Sequence, residues 1–203
     1  MAPTWRSSAL LANSWLDAET DSAYLGEQLK KDILLPLAYS PYTMYQHQTT
    51  PDGILKETAD SMFASDADLM TVSVLWRWSS KPFGLVCWDA HGAEQAAQVG
   101  NDDTGWFDFI IRSCNVGYLD DAHPSFVVSC SCLNGSPSFG SQSLSAYLMY
   151  QGAIGVVSSS DVGHYTRGQN SYDGTFETGG LAYEMLMDLL AEDKTFGEAL
   201  YDS

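Results

Sequence analysis

The sequence predicts an α/β fold, a mostly parallel sheet in a three-layer α/β/α sandwich, and three observations predict it. Short apolar runs of strand length alternate with longer amphipathic stretches, the pattern of strands joined by helical crossovers. The short runs are apolar throughout, as expected of strands covered on both faces. Apolar residues make up 45 % of the 203 residues, enough to bury a core and to exclude global disorder. No repeat or low-complexity tract interrupts the pattern, and the length suits one domain over residues 1–203.

The elements follow in chain order. SALLAN (8–13) reads as a buried strand. Residues 21–34 place Leu25, Leu29 and Ile33 at helical spacing, with Asp21 in position for an N-cap. A second strand is expected over 42–47. A short helix is expected over 51–64, which opens Pro-Asp-Gly and places Ile54, Ala59 and Met62 on one side. FGLVCW (83–88) and SFVVSCS (125–131) have strand length, the second lying between Pro124 and an Asn-Gly turn signal at Asn134 and Gly135. Residues 143–151 read as a helix stopped by Gly152, AIGVVS (153–158) as another buried strand, and 178–191 as a long helix. Cys87 and Cys114 are assigned to the core.

Nine Lys and Arg stand against 26 Asp and Glu, a net charge of −17. A field of that sign repels phosphate and disfavours nucleic acid or an anionic membrane as partner, and it favours a basic substrate or simply keeps a secreted protein soluble. No apolar run reaches the ~18 residues of a membrane span. The first residues (MAPTWRSSALLANSW) carry one basic side chain and a short apolar patch broken by Asn13 and Ser14, without the long apolar stretch of a secretory signal. Four cysteines are too few for a disulfide scaffold.

In parallel sheets ligands sit at the carboxyl ends of the strands. Polar clusters follow each apolar run there: Asn13, Asp17, Glu19 and Asp21; Asp89, His91 and Gly92; Cys132, Asn134 and Gly135; Ser158, Ser159, Ser160 and Asp161. A His-Gly at one exit and a Cys at another suggest a thiol nucleophile with an imidazole partner. The backbone N–H groups of Gly92 and Cys132 would form an oxyanion hole. The plainer alternatives are a core thiol at Cys132, a surface-turn histidine at His91, and a zinc site built on Cys130-x-Cys132 with Cys87 or His91. The C-x-C spacing is shorter than the usual structural zinc pair. No Gly-x-Ser-x-Gly elbow surrounds Ser158 to Ser160, which read as backbone donors lining the cleft.

The spelling of these segments resembles the gingipain family of the caspase-like clan. An apolar block ending in His-Gly is followed by one ending in Cys, and SCSCLNG (129–135) is similar to that family's nucleophile segment. WRSSALLA (5–12), SLSAYLMYQGAIGVVSSS (143–160), Arg167-Gly168-Gln169 and TFGEAL (195–200) match in order, so the resemblance covers nearly the whole chain. It implies a caspase/gingipain-like fold and a cysteine endopeptidase with Cys132 as nucleophile and His91 as general acid/base. It also implies a preference for Arg or Lys before the cleaved bond. Asp21 is then the first candidate for the basic-residue contact, with an N-cap as its alternative role. Strand parity places Asp89 and Cys130 on the site side. Asp89 adds charge to the pocket, bonds His91, or is an ordinary strand-end carboxylate. Cys130 lies in the pocket wall, Ser159 in the cleft, and Tyr165 or His164 where relatives carry an aromatic lid. The resemblance requires no cofactor and no catalytic metal and allows a structural calcium ion. It implies a peptide or protein substrate, neighbouring domains of a longer chain, and a secreted or cell-surface setting. The alternative function is an inactive relative that binds peptide or protein.

Overall fold

A computed structural model describes residues 5–47, 61–69, 71–101 and 106–202. Six strands form the central sheet: β1 (Ser8–Asn13), β4 (Ser40–Tyr45), β5 (Ala67–Asp68), β6 (Leu85–Asp89), β10 (Ser125–Cys130) and β11 (Ala153–Ser158). Their spatial order is β11-β10-β6-β1-β4-β5 and the pairs are parallel. The apolar runs read from sequence form β1, β4, β6, β10 and β11, with bounds shifted by a residue or two.

Alternate residues of each strand face opposite layers. On one face Leu10, Ala12, Val86, Trp88 and Val127 pack against α2 (Thr71–Ser80) and α3 (Leu144–Tyr150). On the other, Leu11, Cys87, Val128 and Cys130 meet α1 (Ala23–Leu29), α4 (Thr178–Leu190) and α5 (Phe196–Asp202). Each fully buried Leu or Val contributes roughly 1.5–3 kcal/mol by leaving water, so both layers are held by the same few strands. The first layer also holds an antiparallel sheet that the sequence did not announce. It comprises β7 (His91–Ala93), β8 (Ala96–Asn101) and β9 (Trp106–Arg112).

Several expectations are corrected. The helix expected over 21–34 starts later: β2 (Trp15–Asp17) and β3 (Thr20–Asp21) form a small hairpin, and α1 runs on into a π-helical turn over Lys30–Leu34. Ser22 takes the N-cap position, but its hydroxyl donates to Ser14 O and Asp89 O at 2.8 Å each. Asp21 instead caps from β3, its Oδ1 accepting from Ala23 N at 2.9 Å. Leu25, Leu29 and Ile33 are buried as the spacing requires. Cys87 is a core residue, whereas Cys114 is exposed, because its segment forms a surface 3₁₀ turn over Ser113–Tyr118. The helix expected over 51–64 lies outside the described residues except for 61–64, which are not helical.

Helix α3 ends where expected. Gly152 has φ +91°, a conformation that disfavours any side chain. Strand β11 lies at the sheet edge beside an apolar groove lined by Phe126, Met149, Ile154, Leu189 and Phe196. Ile154 is 70 % exposed.

Candidate active site

The strand register sets the site. Asn13, Asp89 and Cys130 stand side by side at the carboxyl ends of β1, β6 and β10. Two residues beyond, His91 opens β7 and Cys132 enters the loop after β10. The gap between these segments is small. A Cβ on Gly92 would stand 2.7 Å from Cys132 N and 2.7 Å from Ser131 Cβ, inside the distance real side chains tolerate, so only glycine fits there.

His91 Nε2 lies 2.7 Å from Leu16 O. A carbonyl only accepts, so Nε2 carries the proton, and in the neutral ring Nδ1 is the acceptor. Leu16 belongs to β2, so the β2–β3 hairpin orients the imidazole. Asn134 joins the two segments. Its two Nδ2 hydrogens donate to Ala93 O at 2.6 Å and Ala96 O at 2.9 Å, and Cys132 O at 3.4 Å is a weaker, shared acceptor. Its Oδ1 accepts from Ser129 Oγ at 2.8 Å.

A narrow pocket of about 40 Å³ opens between these segments. Cys132, His91, Cys130, Asp89, Tyr165 and Tyr172 line it, with His164 at its edge. The Asp89 carboxyl is buried, and burial pushes its pKa up to about 8. The Cys130 thiol is also pushed up, by its hydrogen bond with Cys87 and then by burial. The Tyr172 hydroxyl is buried without a hydrogen-bond partner. Its pKa is raised by burial first and then by the charges of Asp89, Cys130 and Asp21.

Residues 161–177 form a strap over this pocket. Gly163 N–H donates to Cys132 Sγ at 3.3 Å. Farther along, Arg167 Nε lies 3.4 Å from Asp17 Oδ2 and 3.9 Å from Glu19 Oε1. Gly168 N–H donates to Thr20 Oγ1 at 2.9 Å, and Tyr172 N–H to Gln28 Oε1 at 3.0 Å. Burial raises the Asp17 pKa, but hydrogen bonds from Glu19 N–H, Thr20 and Tyr165 and the Arg167 charge outweigh it and hold the carboxyl below its ordinary value.

The structure therefore brings together His91, Gly92, Cys132, Asp89, Cys130 and Tyr165. Two expected site residues lie elsewhere. Asp21 does not line the pocket: its carboxylate accepts from Ala23 N–H and from Ser61 Oγ at 2.8 Å. Ser159 lines a separate cavity of about 470 Å³ between β10, β11 and α4. Its backbone serves there as an acceptor, from Gly135 N–H at 2.9 Å, rather than as the expected donor. Sequence reasoning missed Leu16 and Tyr172. It placed Asn134 in the strand-exit cluster, as a turn residue rather than as the link between the two segments. Among the described residues no group of three or more His, Cys, Asp or Glu is placed to hold a metal ion.

A parallel sheet that presents a cysteine and a histidine from the ends of adjacent strands defines the caspase-like class of α/β folds. Within that class, the model of peptidase family C25 matches residues 1–203, and the chain belongs to that family. The fold is similar to the crystal structure of the Arg specific cysteine proteinase gingipain R (RGPB), with a TM-score of 0.66 and 14 % identity. The match covers 97 % of this chain and 40 % of that one, so the chain spans well under half the length of this relative. No curated protein sequence matches the chain.

Proposed function

We propose that this chain carries the catalytic centre of a cysteine endopeptidase that cleaves after Arg or Lys. The observation that carries the reading is the shared pocket, lined by Cys132, His91 and a buried carboxyl, Asp89. In this reading the Cys132 thiol passes its proton to His91 Nδ1, and Sγ attacks the scissile carbonyl carbon. The resulting oxyanion lies between the N–H groups of Gly92 and Cys132. The C–N bond then breaks, and His91 Nδ1 passes a proton to the leaving amine, while Nε2–H stays on Leu16 O. Water, giving its proton to His91, hydrolyses the thioester and frees Cys132.

The pocket wall sets the preference. Asp89 is held protonated by its dry surroundings. An arriving guanidinium or ammonium stabilises the ionised form, so Asp89 gives up its proton and pairs with the substrate. The Tyr172 hydroxyl adds an acceptor beside it. Asp21 acts from behind, through its charge on Tyr172. A neutral side chain would leave these polar groups unpaired, which disfavours it. At about 40 Å³ the pocket holds one or two waters, so the strap shifts to admit a long basic side chain. A peptide or protein substrate and an extracellular setting go with this reading. Among the described residues no helix is long and apolar enough to cross a membrane.

The test is a panel of fluorogenic peptides with Arg, Lys, Asp or Asn before the cleaved bond, given to this chain and to Cys132→Ala. Cleavage after Arg or Lys that vanishes in the variant is expected. Cleavage after other residues keeps the nucleophile and sinks the pocket assignment. Binding without cleavage by a folded chain sinks the peptidase reading and leaves the peptide-binding relative.

A further inference from the structure

Asn134 is buried in full, between the two segments that carry the reacting groups. Ala93 and Ala96, whose carbonyls accept from its amide, are the paired ends of the β7–β8 turn. Ala93 directly follows Gly92, and the third acceptor is the carbonyl of Cys132 itself. The single amide group thus bonds the turn that follows one proposed oxyanion donor and touches the carbonyl of the other as a weaker, shared acceptor. It cannot rotate freely, because Ser129 Oγ donates to its Oδ1 from within β10. On the far side, Asn134 O accepts from Ser145 N–H at 3.1 Å, and Glu94 O, in the same turn, accepts from Leu144 N–H at 2.7 Å. Both segments are thereby tied to the first turn of α3. No other described side chain bonds both the β7–β8 turn and the Cys132 peptide.

We propose that Asn134 is a positioning residue that fixes the spacing of the Gly92 and Cys132 N–H groups and so builds the oxyanion hole. The inference rests on the peptidase reading above. Asn134 touches no reacting atom. Its effect falls on the tetrahedral state, where the oxygen is charged, and not on substrate binding or on the thiol. Aspartate at this position would set a carboxylate oxygen against the Ala93 and Ala96 carbonyls, acceptor facing acceptor.

The test uses the full chain with Asn134→Asp and four readouts: kcat, KM, affinity for a peptide aldehyde, and the rate of Cys132 alkylation by iodoacetamide. The aldehyde forms a hemithioacetal whose oxygen needs the hole. Alkylation at a saturated carbon develops no oxyanion. The expected result is a fall of roughly 100-fold or more in kcat and aldehyde affinity, the scale of losing an oxyanion donor. KM and the alkylation rate stay within about threefold. An unchanged kcat, or alkylation falling in step with kcat, overturns the proposal. If Asn134→Asp does not fold, Ser129→Ala keeps both amide donors and releases only their orientation. It should lower kcat several-fold with the same split, and a uniform loss of all four readouts overturns the proposal. Failure of the peptidase reading is distinguishable: the unaltered chain would then neither cleave peptides nor bind the aldehyde, and the positioning role would fall with it.

Discussion

On the sheet side of the pocket, Cys132 and His91 are held by short, neutral, largely shielded contacts: the imidazole Nε2–H to Leu16 O, Asn134 to both segments, and a glycine contact that admits no Cβ. On the strap side, the outer clasp is the Arg167 ion pair, with the arginine 53 % exposed and its outer partner, Glu19, 65 % exposed; its inner partner Asp17 is buried, and Gly168 and Tyr172 N–H groups tie the strap to Thr20 and Gln28. Buried bonds cannot exchange with water without leaving an unsatisfied group, whereas exposed ion pairs are worth ~0–1 kcal/mol and are screened by salt. The reacting groups therefore sit on the wall that is costly to deform, and on the strap only the exposed part of the clasp at Arg167 and Glu19 is cheap to release.

Three changes would break or sharpen this contrast. The largest effect is expected at Gly92→Ala. The added carbon displaces the backbone at Cys132 or Ser131, and kcat should fall by roughly 10²–10³ with a small change in KM; retained kcat would show that the sheet wall is compliant after all.

Asp89→Asn should follow, with kcat/KM for Arg and Lys substrates falling by about 100-fold, the scale of removing one member of a buried pair. It carries a pH signature as well. Because burial raises the Asp89 pKa to about 8 from an ordinary 3.8, the folded chain holds a proton that the unfolded chain has released between roughly pH 4 and 8. That contribution makes stability fall as pH rises through this window, and Asp89→Asn should flatten the slope. Calorimetry in buffers of different ionisation enthalpy should show proton release when an arginine peptide binds the Cys132→Ala chain at pH 7. Binding with no proton release would mean that Asp89 is already ionised.

Arg167→Gln should have the smallest effect, a rise of about two- to fivefold in the Cys132 alkylation rate, with loss of its salt dependence. A slower rate would mean that the ion pair holds the site open.

The same contrast explains what the sequence disclosed. Strands β1, β6 and β10 were legible because each is apolar on both faces, and a strand covered twice leaves an unbroken run. AIGVVS, expected to be buried, is the edge strand β11 with Ile154 70 % exposed, and the two-residue β5 offered no run to read. His91 and Cys132 were legible because parallel strands that share a register end at one level, so residues just past each run must meet. The β7–β9 sheet was not legible: its strands mix Gly, Gln and Asn with apolar residues, and its burial comes from packing on α2. Asn134 was placed at the site by its strand exit, but its bridging role was hidden behind its turn propensity, since Asn-Gly signals a turn whether or not the side chain reaches across the site. Asp21 was misassigned to the pocket wall because a carboxylate before a helix reads alike as cap or contact. Ser61, which captures it, lies forty positions away in sequence.

The exposed edge at β11 and the charge of the chain act against each other. A strand edge flanked by apolar side chains is a template for pairing with another copy, while a net charge of −17 drives copies apart. The balance belongs to the solvent as much as to the fold. Acidification toward the isoelectric point near 4.2 strips away the repulsion and leaves the edge adhesive, so the colloidal behaviour of this chain is set by protons titrating far from that strand.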